Sequence, residues 1–409
     1  MGMKVVYLLL DGVGDCPLQE PSEWKGRTPL EIAKTPNLDA IAARGVCGMV
    51  DPVAPGKACG SDTAHLNLFG YPPEQYYVGR GCYETLGAGM RITPQDVAFK
   101  SNFATIEGTT VTKRRADRSF EHEGPILAGL LDGTVIPGFP DLSIKVMYTT
   151  EHRCAVAIVG PGLSDKITGT DPLVDDRPLC VSEPLDSTAE ARKTADALNT
   201  LTKEVTRKLE THPINVERRA RGKNPANLVL FRGPGSLAPT PPVAEKYGIK
   251  GAVIAPTAII RGVAESVGFD LPKLPKEATG GMDSDFKVKV AAVLDALDEY
   301  DFVFVHFKGI DDASHEGDSH EKVRQIERVD AAIAPLLERN DVVLVLSGDH
   351  STPCIKKDHS FESVPFVYCD PVASADAVTA YTEKECAKGD MGRFPGDRVM
   401  PLIVSRIKQ

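Results

Sequence analysis

The sequence predicts an α/β fold: a parallel-sheet core domain interrupted by a second, inserted α/β domain. Three observations predict it. Apolar, β-rich runs that stop at turns open and close the chain, with helical stretches between them. The middle of the chain has apolar runs and a long helical stretch of its own. At 409 residues the chain exceeds what one hydrophobic core usually organises, so two domains are expected.

The elements follow in order. "KVVYLLLDGVGD" is a continuous apolar run ending in a glycine-rich turn, which is how a strand covered on both faces reads, and Asp11 lies at its carboxyl end. "TPNLDAIAARG" is a helix opened by Thr35 and Pro36 and closed by Gly45. Near the other end "YDFVFVHFKG", "DVVLVLSGDHS" and "VPFVYCD" are again buried-strand runs, and "SHEKVRQIERVDAAIAPLLERN" is a helix between the first two. Strands alternating with helices predict a parallel sheet with its ligands beyond the carboxyl edge. In the middle, "CAVAIVG", "STAEARKTADALNTLTKEVTRKLETH", "NLVLFRG" and "GAVIAPTAIIRGVAESVGF" supply a core of their own. The expected division is therefore residues 1–91 with 283–409 for the discontinuous core domain and 92–282 for the insert, with boundaries near Arg91 and Asp283.

A net charge of −10 gives no general attraction to nucleic acid or an anionic membrane, so an anionic ligand must be drawn in by a local cluster of Arg and Lys. A small anion is expected. The nine cysteines, Cys16, Cys47, Cys59, Cys82, Cys154, Cys180, Cys354, Cys369 and Cys386, are scattered and form no C-x-x-C pair. They read as reduced thiols that fill cores rather than a disulfide framework or thiolate zinc site. The run "VVYLLL" stops at Asp11 and is too short for a signal segment or a membrane span. The expectation is a soluble, cytoplasmic protein.

Chemistry enters at the predicted strand ends. Asp11 in "LLLDGVGD", Asp311 and His315 in "KGIDDASHEGD", Asp349 and His350 in "LSGDHSTP" and His359 in "KKDHSFESVP" are carboxylates and imidazoles of the kind that bind divalent ions. A lone strand-end Asp more often shapes a turn, and a lone His more often serves packing. Position changes that reading, because loops at the carboxyl edge of a parallel sheet converge. The set suffices for about two metal sites, and two ions ~4 Å apart clamp a phosphoryl group during in-line displacement. The histidines favour Mn²⁺, Zn²⁺ or Co²⁺ over Mg²⁺. Ser61 in "GSDTAHLNLFG" opens a predicted helix, where amide N–H groups favour a phosphate. In isolation Ser61 reads as a helix cap; beside the acidic and histidine set it reads as a nucleophile.

These residues resemble the alkaline phosphatase superfamily, and specifically the archaeal-type cofactor-independent (2,3-bisphosphoglycerate-independent) phosphoglycerate mutases. The similarity runs along most of the chain, through "DGVGD", "GRTPLEIAKTPNLDAIA", "GSDTAHLNLFGYPP", "GRGCYETLGAGM", "FKSNFATI", "NLVLFRGPG", "TGGMDSDFKVKV", "HFKGIDDASHEGD" and "SGDHSTP". The resemblance implies an alkaline-phosphatase-like core domain. It implies one metal on Asp11, Ser61, Asp349 and His350, a second on Asp311, His315 and His359, and phosphorylation of Ser61 during turnover. The implied reaction interconverts 3-phosphoglycerate and 2-phosphoglycerate, a step of glycolysis and gluconeogenesis, without added 2,3-bisphosphoglycerate. The insert would hold the glycerate. Arginine forks match carboxylate and phosphate, so Arg115 and Arg118 in "TKRRADRS" are the first choices, with Arg153, Arg232 and Lys308 behind them. A basic loop is usually a solvated surface, and Arg114 alone reads that way. Asp117 or His152 would be the general base.

Three departures touch the substrate loops. "DCPLQEPSEWKGR" is longer than the family's usual version, Asp117 stands where Gly is common, and Leu173 stands where His is expected. An alternative is a metal-dependent phosphatase or another phosphomutase of the same superfamily, which shares the metal site and differs in whether water reaches the phosphoserine. A sulfatase is disfavoured, since "GSDTA" lacks the Pro and Arg expected after a sulfatase nucleophile. A non-catalytic relative would have lost a ligand or the nucleophile, and none is missing.

Overall fold

Lys4–Leu10 is a strand buried at every residue but the first, as an apolar run covered on both faces should be. In the computed structural model, which describes residues 3–407, it lies inside a seven-stranded sheet. The order is Gly251–Ile254, Phe302–Phe307, Lys4–Leu10, Val342–Ser347, Val364–Cys369, Val46–Asp51 and Gly392–Pro395. The first four are mutually parallel, with Val5 opposite Phe302 on one side and Val343 on the other.

The expected parallel sheet is thus present, with one correction. Val364–Cys369 runs antiparallel to both of its neighbours. The connection that precedes it contains turns but no helix, and without a crossover the chain returns in the opposite sense.

Helices cover this sheet with the faces their sequences dictate. Pro36–Arg44 buries Leu38, Ile41 and Ala42 and stops at Gly45. Its expected opener, Thr35, makes no capping bond; the Asp330 carboxylate accepts from Asn37 N at 2.9 Å and Leu38 N at 2.8 Å instead. Ser319–Ile333 is capped by Asp318 and packs Ile326, Val329 and Ile333 into the core with Val6, Leu8, Val303 and Phe307.

The chain divides into one unit that ends at Tyr77 and resumes at Thr240, and a second spanning Val78–Pro239. The boundaries expected near Arg91 and Asp283 therefore both move. The helix Arg80–Gly87 packs on the strands Val97–Glu107 and Leu228–Gly235 of the second unit. On the far side, Gly251–Ile254 pairs in parallel with Phe302–Phe307, which assigns "GAVI" to the first unit although its sequence reads like the insert.

The second unit is built on antiparallel pairing. Its strands run in the order Val135–Ile136, Phe139–Tyr148, Arg153–Val159, Val97–Glu107, Thr110–Lys113 and Arg177–Pro178, and Leu228–Gly235 also pairs with Val97–Glu107. The long helix Ala189–Glu210, capped by Thr188, closes this core with Leu198, Leu201 and Val205 against Phe99, Phe231 and Val156. The incoming and outgoing chains of this unit run in contact. A Cβ at Gly235 would lie 2.0 Å from Val78 O, and one at Gly79, where φ is +87°, 2.5 Å from Pro234 O. Only glycine permits that approach.

Most cysteines fill cores as expected, whereas Cys180 is exposed. No helix among the described residues is long and apolar enough to cross a membrane.

Candidate active site

Three neighbouring parallel strands end side by side, and each delivers acids to one edge of the sheet. Asp11 follows Lys4–Leu10, and Asp349 and His350 follow Val342–Ser347. Asp311 and His315 sit one turn apart on the helix Gly309–Glu316, which follows Phe302–Phe307. Gly12 makes this convergence possible: its φ is +63°, and a Cβ there would stand 2.5 Å from Asp311 Oδ1. One expectation is corrected. His359 has no strand end of its own; it lies in the 348–363 connection, which folds back and stacks its ring on His350 with centroids 3.7 Å apart.

Asp11, Asp349 and His350 form a fully buried group whose ligand atoms converge. His350 Nε2 is 3.5 Å from Asp11 Oδ1 and 3.2 Å from Asp349 Oδ2. Both of those carboxylate oxygens are buried without a hydrogen bond, a costly arrangement unless a cation joins them. Each carboxylate is held by its other oxygen. His306 Nε2 lies 2.8 Å from Asp11 Oδ2, and Gly12 N donates to Asp349 Oδ1 at 3.1 Å. The His350 ring is oriented too. Thr352 Oγ1 donates to Asp311 Oδ1 at 2.8 Å and so accepts from His350 Nδ1 at 3.0 Å, which leaves the Nε2 lone pair facing the carboxylates.

Ser61 stands at this group, with Oγ 3.2 Å from His350 Nε2. The residue in the capping position is Gly60, and Ser61 is the first residue of the helix Ser61–Leu68. Helix capping therefore does not account for Ser61.

Asp311, His350 and His359 form a second convergent group, so His350 borders both. His315 lies beside it, with Nε2 3.4 Å from Asp311 Oδ2 and 3.2 Å from His359 Nε2. The Lys308 ammonium contacts Asp311 and stands 3.3 Å from Asp312 Oδ1 and 3.7 Å from Asp11 Oδ2. It is placed among the acids.

Burial and like charge set the protonation of these groups. Burial opposes ionisation of Asp11, but Lys308 and His306 outweigh it and hold the carboxyl below its usual range. Burial, with the charges of Asp11 and Asp311, pushes Asp349 well above it. Burial lowers His350 to about 4 and keeps it neutral, while the hydrogen bond to Asp311 raises His315 to about 9. A pair of acids forced apart in this way, beside neutral imidazole, is a donor set for a divalent cation, so the residues fit the metals that the resemblance implies.

The second unit gathers its own polar cluster. His152 is buried, its Nδ1 has no hydrogen-bond partner, and the preceding residue, Glu151, has a φ of +49°. Burial, and then the charges of Arg153, Arg115, Arg118 and Arg232, push His152 down to about 4. Arg115 and Arg118 are exposed, and no hydrogen bond or ion pair engages either among the described residues. Arg153 is 3.3 Å from Glu151, and Arg232 is 4.0 Å from the Asp171 carboxylate. Arg114 departs from the solvated surface expected of it: its guanidinium makes a two-point contact with buried Asp171 at 2.6 and 2.7 Å. Asp117 is engaged by the buried Arg218 at 2.8 Å, which holds its carboxyl below the usual range against the effect of burial.

Sequence reasoning missed His306, His65 and Thr352. His65, one turn after Ser61, lies 2.7 Å from Ser61 O through Nδ1 and 3.5 Å from Asp349. The signal was present, since a histidine inside "FVFVHF" sits where an apolar residue is expected.

Known proteins resemble this chain along most of its length. A family model described as 2,3-bisphosphoglycerate-independent phosphoglycerate mutase matches residues 42–215, and one for type I phosphodiesterase / nucleotide pyrophosphatase matches 176–366. The 2,3-bisphosphoglycerate-independent phosphoglycerate mutase 1 of Methanothermobacter thermautotrophicus is 40% identical over 404 residues, covering 98% of this chain and 97% of that protein. Among solved structures, the PH0037 protein from Pyrococcus horikoshii matches with a TM-score of 0.85 and 33% identity, covering 100% of this chain and 98% of that one. The cofactor-independent phosphoglycerate mutase from Thermoplasma acidophilum matches with a TM-score of 0.74 and 31% identity, covering 98% and 99%.

Proposed function

Since the chain belongs to the family of 2,3-bisphosphoglycerate-independent phosphoglycerate mutases, we propose that it interconverts 3-phosphoglycerate and 2-phosphoglycerate by way of phosphorylated Ser61. The observation that carries this reading is Ser61 Oγ, 3.2 Å from His350 Nε2, beside two buried carboxylate oxygens that lack partners. In the first half-reaction Ser61 Oγ bonds to phosphorus as the bond from phosphorus to one glycerate oxygen breaks. In the second, the other glycerate hydroxyl takes the phosphoryl group back and Ser61 is restored.

Asp11, Ser61, Asp349 and His350 hold one divalent ion, and Asp311, His315 and His359 hold the other. Mn²⁺, Zn²⁺ or Co²⁺ suits these donors better than Mg²⁺. When bound, the ions supply positive charge that favours ionisation of the serine hydroxyl and balances the phosphoryl oxygens. The amide groups at the start of the helix Ser61–Leu68 favour the same charge. Lys308 neutralises the acids and contacts the phosphoryl group.

In the insert, Arg115, Arg118, Arg153 and Arg232 grip the substrate's carboxylate and phosphate. His152 is the base on the glycerate hydroxyl. Its low pKa has the arginine field as one cause, and an anionic substrate that neutralises those arginines raises it toward the working pH. Asp117, tied to Arg218, orients the loop. An enolase-coupled assay with 3-phosphoglycerate, with and without added 2,3-bisphosphoglycerate, tests the reading. Equal turnover in both supports it; phosphate release in place of 2-phosphoglycerate overturns it in favour of a phosphatase.

A further inference from the structure

The ammonium of Lys322 is completely buried, and nothing in the mechanism above uses it. It projects from the helix Ser319–Ile333 to a point where four oxygens meet. Gly12 O lies at 3.0 Å, Gly14 O at 3.2 Å, Thr352 O at 3.0 Å and Asp15 Oδ2 at 3.0 Å. An ammonium has three N–H groups, so every one is committed. Removing a cation from water is costly unless such partners receive it.

The three carbonyls belong to the two loops that carry the ligands. Gly12 follows Asp11 and donates its N–H to Asp349 Oδ1. Thr352 lies two residues after His350 and joins His350 Nδ1 to Asp311 through its hydroxyl. The loops are also paired directly, by Thr352 N to Gly14 O at 3.0 Å and by bridges from Ser351 to Val13 and Gly14. Carbonyl oxygens aimed at one point repel each other unless a cation lies between them, so the ammonium fixes the loop spacing.

We propose that Lys322 is a positioning residue for the metal centre: by tying the 11–15 loop to the 349–354 loop it sets the separation of Asp11 from Asp349 and His350. Asp15 completes the device. Its carboxylate accepts from Lys322, from Cys354 N at 3.1 Å and from Cys16 N at 2.8 Å, so it anchors the lysine from both loops. This inference rests on the metal-binding reading of the site.

The test measures Mn²⁺ binding to the full-length metal-free protein by calorimetry, beside its thermal unfolding. Unmodified protein that binds no Mn²⁺ would sink the metal reading itself. Given binding, a double variant, Lys322→Met with Asp15→Asn, removes both charges together and leaves no unpaired ion in the core. It is expected to bind Mn²⁺ about 10–100-fold more weakly, to unfold cooperatively but at a lower temperature than the parent without metal, since Gly12 O and Thr352 O lose their donor, and to keep its KM for 3-phosphoglycerate at saturating Mn²⁺. Lys322→Arg keeps the charge, and with it the fold, but a planar fork does not suit four convergent oxygens; it should show the same loss in smaller measure. Parent-like Mn²⁺ affinity in either folded variant overturns the proposal.

Discussion

His315 and His359 face each other through their Nε2 atoms, 3.2 Å apart, and each ring has its Nδ1 against a backbone carbonyl, Lys357 O at 2.9 Å and Cys59 O at 2.8 Å. Both Nδ1 atoms therefore carry hydrogens, and the two inner nitrogens need a proton or a cation between them. Metal analysis should find about two divalent ions per chain, as two-metal phosphoryl transfer requires. His359→Ala should retain about one ion and lose mutase activity, while chelation abolishes activity in the parent. A protein that keeps full turnover after exhaustive chelation contradicts this assignment.

Ser61→Ala should reduce mutase turnover by more than about 10³-fold, because removing a covalent nucleophile removes the route. Gly60, not Ser61, holds the capping position, so the melting temperature should stay close to that of the parent. Rapid quench with ³²P-labelled substrate should trap label on the parent and none on the variant.

Arg115→Ala and Arg118→Ala should each lower kcat/KM by about tenfold or more, the usual effect of losing a charge-assisted contact. Their metal content and unfolding should not change, since no hydrogen bond or ion pair engages either side chain among the described residues. Arg114→Ala should behave differently. It leaves buried Asp171 without its two-point partner, and the expected loss, about 1.5–3 kcal/mol, appears in stability.

Glu383 offers a pH prediction away from the metals. It is half-buried and accepts from Thr28 Oγ1 at 2.8 Å and Asp15 N at 3.2 Å, and desolvation pushes its pKa up to about 7. The folded protein thus holds a proton that the unfolded chain releases. Its contribution to stability is complete below about pH 4.5 and is lost as pH rises toward 7. Glu383→Gln, which has no charge and mimics the protonated carboxyl, its amide oxygen accepting from Asp15 N and its amide nitrogen donating to Thr28 Oγ1, should be near neutral at pH 4.5 and stabilising by up to about 3 kcal/mol at pH 8. Denaturant unfolding at the two pH values checks the sign.

Asp11 and Asp349 were legible as neighbours in sequence because buried strands announce their ends and a parallel sheet brings adjacent ends together, and Ser61 was legible as the residue that opens a helix. Other features depend on pairings that no local pattern encodes. Lys322 reads as one charge among many in "SHEKVRQIERVD", and its role appears only when two distant loops meet above it. The antiparallel course of Val364–Cys369 follows from the absence of a helix in the preceding loop. "GAVI" carries no mark of which sheet it joins, since apolar strands fit either core, and only its register with Phe302–Phe307 decides.

The contact of Gly79 and Gly235 with the opposite ends of the Val78–Pro239 segment has a bearing on descent. All seven strands of the sheet that carries Asp11 and Asp349 come from outside that segment, and the two ends of the segment lie beside each other. Two crossovers in the coding sequence, one at each end, therefore exchange the whole cassette and leave the strand order untouched. Such an exchange leaves Asp11, Ser61, Asp311, Asp349 and His350 where they are, because all five lie outside the segment.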